Sequence, residues 1–129
     1  MFTDLIGKPF EYCGKSTSFD CWTLAQEIAR RVGGRLPDQS TVVELGERAR
    51  KIKEVFDEFI KLERPEPFCL VLFWLTHRNV PEHIGTILNN RSRFIHVTKD
   101  TGVAISEIDH PFWRIRVVGY YAYNTTKLA

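Results

Sequence analysis

Along the chain, the spacing of apolar residues changes once, near residue 64, from a helical to a strand-like period. In residues 21–32 the apolar positions are Cys21, Leu24, Ala25, Ile28, Ala29 and Val32, the three- and four-residue spacing of a helix with one buried face. Asp20 is placed as its N-cap, and Gly33-Gly34 as its stop. A second stripe comprises Leu45, Ala49, Ile52, Phe56, Phe59 and Ile60, with Glu47, Arg48, Arg50, Lys51 and Lys53 on the solvated side. Ser40 or Thr41 opens this helix, and Glu44 completes a capping box if Thr41 is the cap.

Arg64-Pro65-Glu66-Pro67 ends the helical half. Beyond it, residues 69–75 read as a buried strand. Residues 84–88 and 93–97 read as two strands around the turn cluster Asn89-Asn90-Arg91-Ser92. Residues 102–108 and 116–123 read as a fourth and a fifth strand. Helices followed by hairpin-linked strands predict an α+β fold with an antiparallel sheet, and residues 1–129 are read as one domain.

Composition narrows the functional classes. The net charge of +2, with no basic stripe among aromatics, argues against nucleic acid as a partner. The longest apolar run, residues 68–75, is far shorter than the ~20 residues of a membrane span. No signal-peptide pattern opens the chain, so synthesis in the cytoplasm is expected. Three irregularly spaced cysteines do not make a disulfide framework. Gly14-Lys15-Ser16-Thr17 looks like the end of a phosphate-binding loop, but Pro9 stands where its first glycine is required and no strand precedes it.

Cys21 carries the candidate chemistry. The unpaired N–H groups and dipole of a helix N-terminus favour a thiolate. With Leu88 facing Arg93, residue numbers of opposite pairs sum to 181. Gly85 then faces His96, and His83 is the diagonal neighbour of His96 on the same face, Cα atoms about 7–8 Å apart. A slip of one residue would separate them. A helix packed on that face would bring Cys21 to His83, with His96 behind it, as thiolate, general base and orienting group. The same three side chains would suit zinc, although no short Cys or His pair nucleates a site and no metal is expected. Cys13 reads as a loop thiol and Cys69 as a strand-core thiol; His77 reads as a solvated loop residue and His110 as a turn residue. Phe112, Trp113, Tyr120, Tyr121 and Tyr123 read as packing, and Trp22 either lines a groove or fills the core.

Asp20-Cys21-Trp22-x-Leu24, His83-Ile84-Gly85-x-Ile87-Leu88 and Phe94-Ile95-His96, in this order, resemble the NlpC/P60 cysteine peptidases, and within them the branch of phage tail proteins. Gly7-Lys8-Pro9-Phe10 and the segment from His110 to Tyr120 are similar to the opening and closing segments of those domains. The resemblance implies a papain-like fold, with N-terminal helices packed on a five- or six-stranded antiparallel sheet. It implies Cys21 as nucleophile, His83 as base and His96 as the orienting residue. Asp20 would cap the helix and hold the substrate's amino end, and Trp22 and Tyr12 would border the substrate. Phe10 stands where the family has a tyrosine, and Tyr12 is the neighbouring hydroxyl. Thr23 replaces the tail branch's glycine. The implied substrate is a peptidoglycan stem peptide, cut between D-γ-glutamyl and the diamino acid, with no cofactor. Tail proteins are the implied assembly partners and the virion tail the implied location. A non-catalytic tail module and a thiol acyltransferase are the alternatives.

Overall fold

The computed structural model describes residues 2–12, 17–37 and 45–123, with the backbone alone for residues 45–49. Cys13, the phosphate-loop look-alike at residues 14–16 and the cap expected at Ser40, Thr41 and Glu44 lie outside the described residues. Helix α1 (Cys21–Arg31) is followed by α2 (Leu45–Phe56), then strands β1 (Ile60–Leu62), β2 (Leu70–Phe73), β3 (His83–Ile87), β4 (Arg93–Thr98) and β5 (Gly102–Glu107). A short helix α3 (Pro111–Arg114) and strand β6 (Val117–Ala122) complete the order. The six strands form one antiparallel sheet in the order β1-β6-β2-β3-β4-β5. This is the expected α+β architecture, with six strands.

Local chemistry explains where α1 begins and ends. Asp20 is its N-cap, accepting from the Thr23 N–H at 2.8 Å, while the Thr23 hydroxyl accepts from the Asp20 N–H at 2.9 Å. Thr23, a departure from the tail-branch pattern, thus closes a reciprocal cap that a glycine could not. At the other end Gly33 takes a φ of 83°, a turn that other residues resist.

Two expectations are corrected. The second helical stripe ends at Phe56, not Ile60. Phe59 turns inward against Phe56, and Ile60–Leu62 pairs with β6 as an edge strand, leaving Ile60 half exposed. A β-branched residue beside an open sheet edge gains ladder hydrogen bonds there that a fraying helix end cannot supply. The second correction is α3, a turn of helix where the sequence shows only a connection. His110 is more than a turn residue: it caps α3, its Nδ1 accepting from the Phe112 N–H at 3.1 Å, with Pro111 in the first turn.

The core has two sides. Trp22, Ala25 and Ala29 of α1 pack with Leu70, Leu72 and Ile84, while Cys21, Leu24 and Ile28 pack with Ile95, Val97 and Val103. On the other side of the sheet, Val71, Phe73, Ile87 and Phe94 form a cluster with Cys69 and Ile108, and Trp113 packs against it. At the β4–β5 turn, Gly102 has φ 67°, and a Cβ there would come within 2.6 Å of the Lys8 carbonyl oxygen. The same carbonyl accepts from the Val103 N–H at 2.8 Å, which ties the N-terminal segment to the turn.

Candidate active site

The hairpin register is the expected one: Thr86 faces Ile95 and Ile87 faces Phe94, sums of 181. His83 and His96 therefore share a face, and His83 Nε2 lies 2.9 Å from His96 Nδ1. The route by which Cys21 joins them differs from expectation. Helix α1 covers the opposite face, the one bearing Ile84, Ile95 and Val97. The large aromatics Phe73 and Phe94, with Trp113 of the short α3, already fill the histidine face in place of α1. Cys21 instead reaches the histidines at one end of the sheet. His83 is the first residue of β3, and the antiparallel pairing puts the end of β4 and the turn 99–101 at the same end. A cavity of about 500 Å³ opens there, lined by Cys21, His83 and His96 together.

Around the pair the rings are tightly set. Trp113 stacks on His83 with centroids 5.6 Å apart and planes at 21°, and meets His96 edge-on at 4.9 Å. Phe94 lies 4.5 Å from the His96 ring. Gly85 leaves the space Phe94 needs, since a Cβ there would stand 2.7 Å from its ring. His96 is 3% exposed, and burial lowers its pKa to about 4, so the ring is neutral at neutral pH. Its Nε2 lies 2.8 Å from Ser106 Oγ.

Of the remaining expected site residues, Tyr12 lies on the cavity wall, 41% exposed, with its ring edge-on to Phe10 and 5.0 Å from Lys99 Nζ. Asp20 is buried, with its carboxylate on the helix cap. Trp22 is placed in the core rather than at the groove. It is 3% exposed, its Nε1–H donates to the Pro37 carbonyl at 3.0 Å, and its ring packs against Phe56. The face of α1 that carries it points to the sheet, so a large apolar ring is buried there. Tyr121 and Tyr123 pack against Phe56 and Phe59 as expected, but Phe112 and Trp113 border the cavity. Among the described residues no three His, Cys, Asp or Glu side chains are grouped to hold a metal ion, and no helix is long and apolar enough to cross a membrane.

Sequence reasoning passed over two further residues here, Ser106 and Glu82, and read Trp113 only as packing. Glu82, next to His83, is a buried carboxylate that organises the loop 74–82. It accepts from the backbone N–H groups of Leu75, Thr76 and His77 and from the Thr76 hydroxyl, the last at 2.7 Å. The exposed His77 reaches it through Nδ1 at 3.3 Å. Burial alone would raise its pKa, but the bonds from Leu75, Thr76 and His77 outweigh that and bring it down to about 2. A carboxylate with a lowered folded-state pKa stabilises the fold above its unfolded value of about 4.5, and that contribution is lost as pH falls towards 2. Thermal melts from pH 5 to pH 2 should therefore fall more steeply for the wild type than for Glu82→Gln. Parallel curves would show that the carboxylate's charge is not what holds the loop.

The sequence model of the NlpC/P60 family matches residues 7–122. The chain belongs to the NlpC/P60 family. Its fold is correspondingly the α+β, papain-like one. Two solved structures of that family superpose on it. One, described as similar to a lipoprotein of the NLP/P60 family, from Staphylococcus aureus subsp. aureus Mu50, gives a TM-score of 0.66 at 21% identity over 93% of this chain. The other, an NlpC/P60 family protein from Bacillus cereus ATCC 10987, gives 0.70 at 17% identity over 94%. The matches cover only 38% and 37% of those two chains, so this chain corresponds to well under half of either. No curated protein matches it significantly. NlpC/P60 domains are generally cell-wall cysteine peptidases or amidases.

Proposed function

We propose that this NlpC/P60 domain is a cysteine peptidase that hydrolyses an amide bond of peptidoglycan stem peptides, between D-γ-glutamyl and the diamino acid. The observation that carries the reading is the meeting of Cys21, at a helix N-terminus, with the hydrogen-bonded His83–His96 pair on one cavity.

His83 engages His96 through Nε2, which supports its Nδ1 as the atom that exchanges a proton with the thiol. The Cys21 proton passes to Nδ1, and the thiolate attacks the amide carbonyl carbon. The resulting oxyanion lies beside the Cys21 N–H at the start of α1, where the helix dipole favours negative charge. His83 then gives its proton to the leaving amine, and the C–N bond breaks to leave a thioester on Cys21. Water, deprotonated by His83, attacks the thioester and releases the new carboxylate. The neutral His96 accepts from His83 Nε2–H and holds the ring in place throughout. Asp20 sets the helix start that presents Cys21, and Tyr12 borders the bound peptide. No cofactor enters this scheme. The motif likeness to tail proteins supports a role in local wall opening from a phage tail, with synthesis in the cytoplasm and tail proteins as partners.

The test is digestion of purified muropeptides followed by mass spectrometry. A new amino terminus on the diamino acid is expected, absent with Cys21→Ala. Intact muropeptides after digestion with well-folded protein would overturn the reading in favour of a non-catalytic tail module. A product carrying an added amine instead of a new carboxylate would indicate acyl transfer.

A further inference from the structure

We infer that Ser106 is a positioning residue for the histidine pair: its hydroxyl accepts the Nε2–H of His96 and so holds that ring in the tautomer that offers Nδ1 to His83. The geometry comes from β5. His96 faces Ala104 and Phe94 faces Ser106, so Ser106 is the diagonal neighbour of His96 on the histidine face. The chain of contacts runs His83 Nε2 to His96 Nδ1 at 2.9 Å, then His96 Nε2 to Ser106 Oγ at 2.8 Å. Ser106 lies on the cavity wall, half-buried, at the end of this relay.

A neutral imidazole carries one N–H. With the proton of His96 on Nε2, it donates to Ser106, and Nδ1 accepts from His83 Nε2–H. The Nδ1 of His83 is then a base. With the proton on Nδ1, His96 donates to His83 Nε2, and the proton of His83 moves to its own Nδ1, where it blocks uptake from the thiol. Once His83 becomes an imidazolium its Nε2–H can only donate, so His96 must be in the first tautomer. A serine oxygen suits that state because it accepts, and it is tolerant of the other because its hydroxyl can donate. Remove the hydroxyl and the Nε2–H loses the acceptor it has among the described residues. The balance for the His96 proton then shifts towards Nδ1, where His83 remains as a partner, the arrangement that disables His83. Burial keeps His96 neutral, which makes the choice of tautomer decisive. The other titratable groups on the cavity wall are Cys21, Tyr12, Glu82, Lys99 and Asp100, with Glu82 bonded into the loop 74–82.

The activity consequence rests on the proposed peptidase function, but the tautomer does not. The first measurement is ¹⁵N NMR of histidine-labelled protein. The His96 proton is expected on Nε2 in the wild type and displaced towards Nδ1 in Ser106→Ala; a wild-type proton on Nδ1, or no change in Ser106→Ala, overturns the inference even if muropeptides are cleaved. The second is the pH profile of Cys21 alkylation, which needs no substrate. Ser106→Ala should move its midpoint upward, Ser106→Thr should keep it, and Ser106→Ala should add nothing in a His96→Ala background. On muropeptides, Ser106→Ala should lower kcat about tenfold with KM unchanged, less than the ~10²–10⁴-fold of losing the general base itself, because His83 is still present. An unchanged alkylation profile, or an equal loss in the His96→Ala background, would place Ser106 outside the relay. If no variant cleaves muropeptides while the NMR and alkylation shifts appear, the proposed substrate fails and the positioning role stands.

Discussion

Replacing His83 with alanine should reduce hydrolysis by at least about 10³-fold while leaving the fold intact, since removing the base of a Cys/His or Ser/His pair costs on that order. The same substitution should abolish rapid alkylation of Cys21 by iodoacetamide near pH 6, where an ordinary thiol with a pKa of about 8.5 is almost wholly protonated. Cys69 provides an internal control. Both thiols are buried, but Cys21 lines the cavity whereas Cys69 packs in the sheet's apolar cluster, where burial raises its thiol pKa, so Cys69 should stay unmodified in both proteins. Its Sγ also lies 3.5 Å from the Glu66 N–H, further fixing it in place. Mass spectrometry of the alkylated peptides, with circular dichroism to verify folding, decides the outcome. Equal labelling of Cys21 in the wild type and in His83→Ala would sink the Cys/His pair, and with it the peptidase mechanism.

The largest structural effect is expected at Phe94. It is fully buried and sits at the centre of the histidine face, 4.9 Å from Phe73, 5.5 Å from Trp113 and 4.5 Å from His96 between ring centroids. Phe94→Ala removes the six ring carbons from a packed core and should cost about 3–5 kcal/mol. On the scaling for a domain of this size, that lowers Tm by roughly 10–20 °C. It should also reduce activity at temperatures where the variant is still folded, because His96 loses the ring beside it. Phe94→Leu, closer in volume, should lose much less of both. A Tm within about 3 °C of the wild type for Phe94→Ala would show that the face is not packed as described.

The two substitutions act on different levels of one arrangement. His83 exchanges a proton, whereas Phe94 and Gly85 make the space in which His96 can stand behind it. The carboxylate of Glu82 works from the other side, tying down the loop 74–82 through three backbone N–H groups immediately before His83. A polar pair inside an aromatic cluster needs both kinds of support, because a buried ring nitrogen without a partner is costly.

Periodicity alone was enough for α1 and its cap, for the hairpin of β3 and β4, and for its register. These are local features: the 3.6-residue stripe, an N-cap side chain and a turn whose length sets the pairing. The same arithmetic extended to β4 and β5, where opposite numbers sum to 200, would have reached Ser106 from His96. Glu82 left no such trace, because a carboxylate that bonds loop N–H groups has no repeating pattern. Trp113 reads in sequence as one aromatic among several, and its place on His83 depends on α3 folding back to the end of the sheet.

What the sequence by itself determined was the order of the elements other than β1 and α3, the pairing of the histidines on one face and the thiol at a helix start. Each of these follows from forces acting between near neighbours in the chain. Only the tertiary structure decided that α1 lies on the opposite face, that Trp22 goes to the core, that Ile60–Leu62 leaves the helix for the sheet edge, and that Cys21 meets His83 around the end of β3. Those outcomes depend on which apolar surfaces compete for the two sides of one sheet. Phe73, Phe94 and Trp113 fill the histidine side, α1 is left the other, and residues of both sides meet at the open end where the cavity forms.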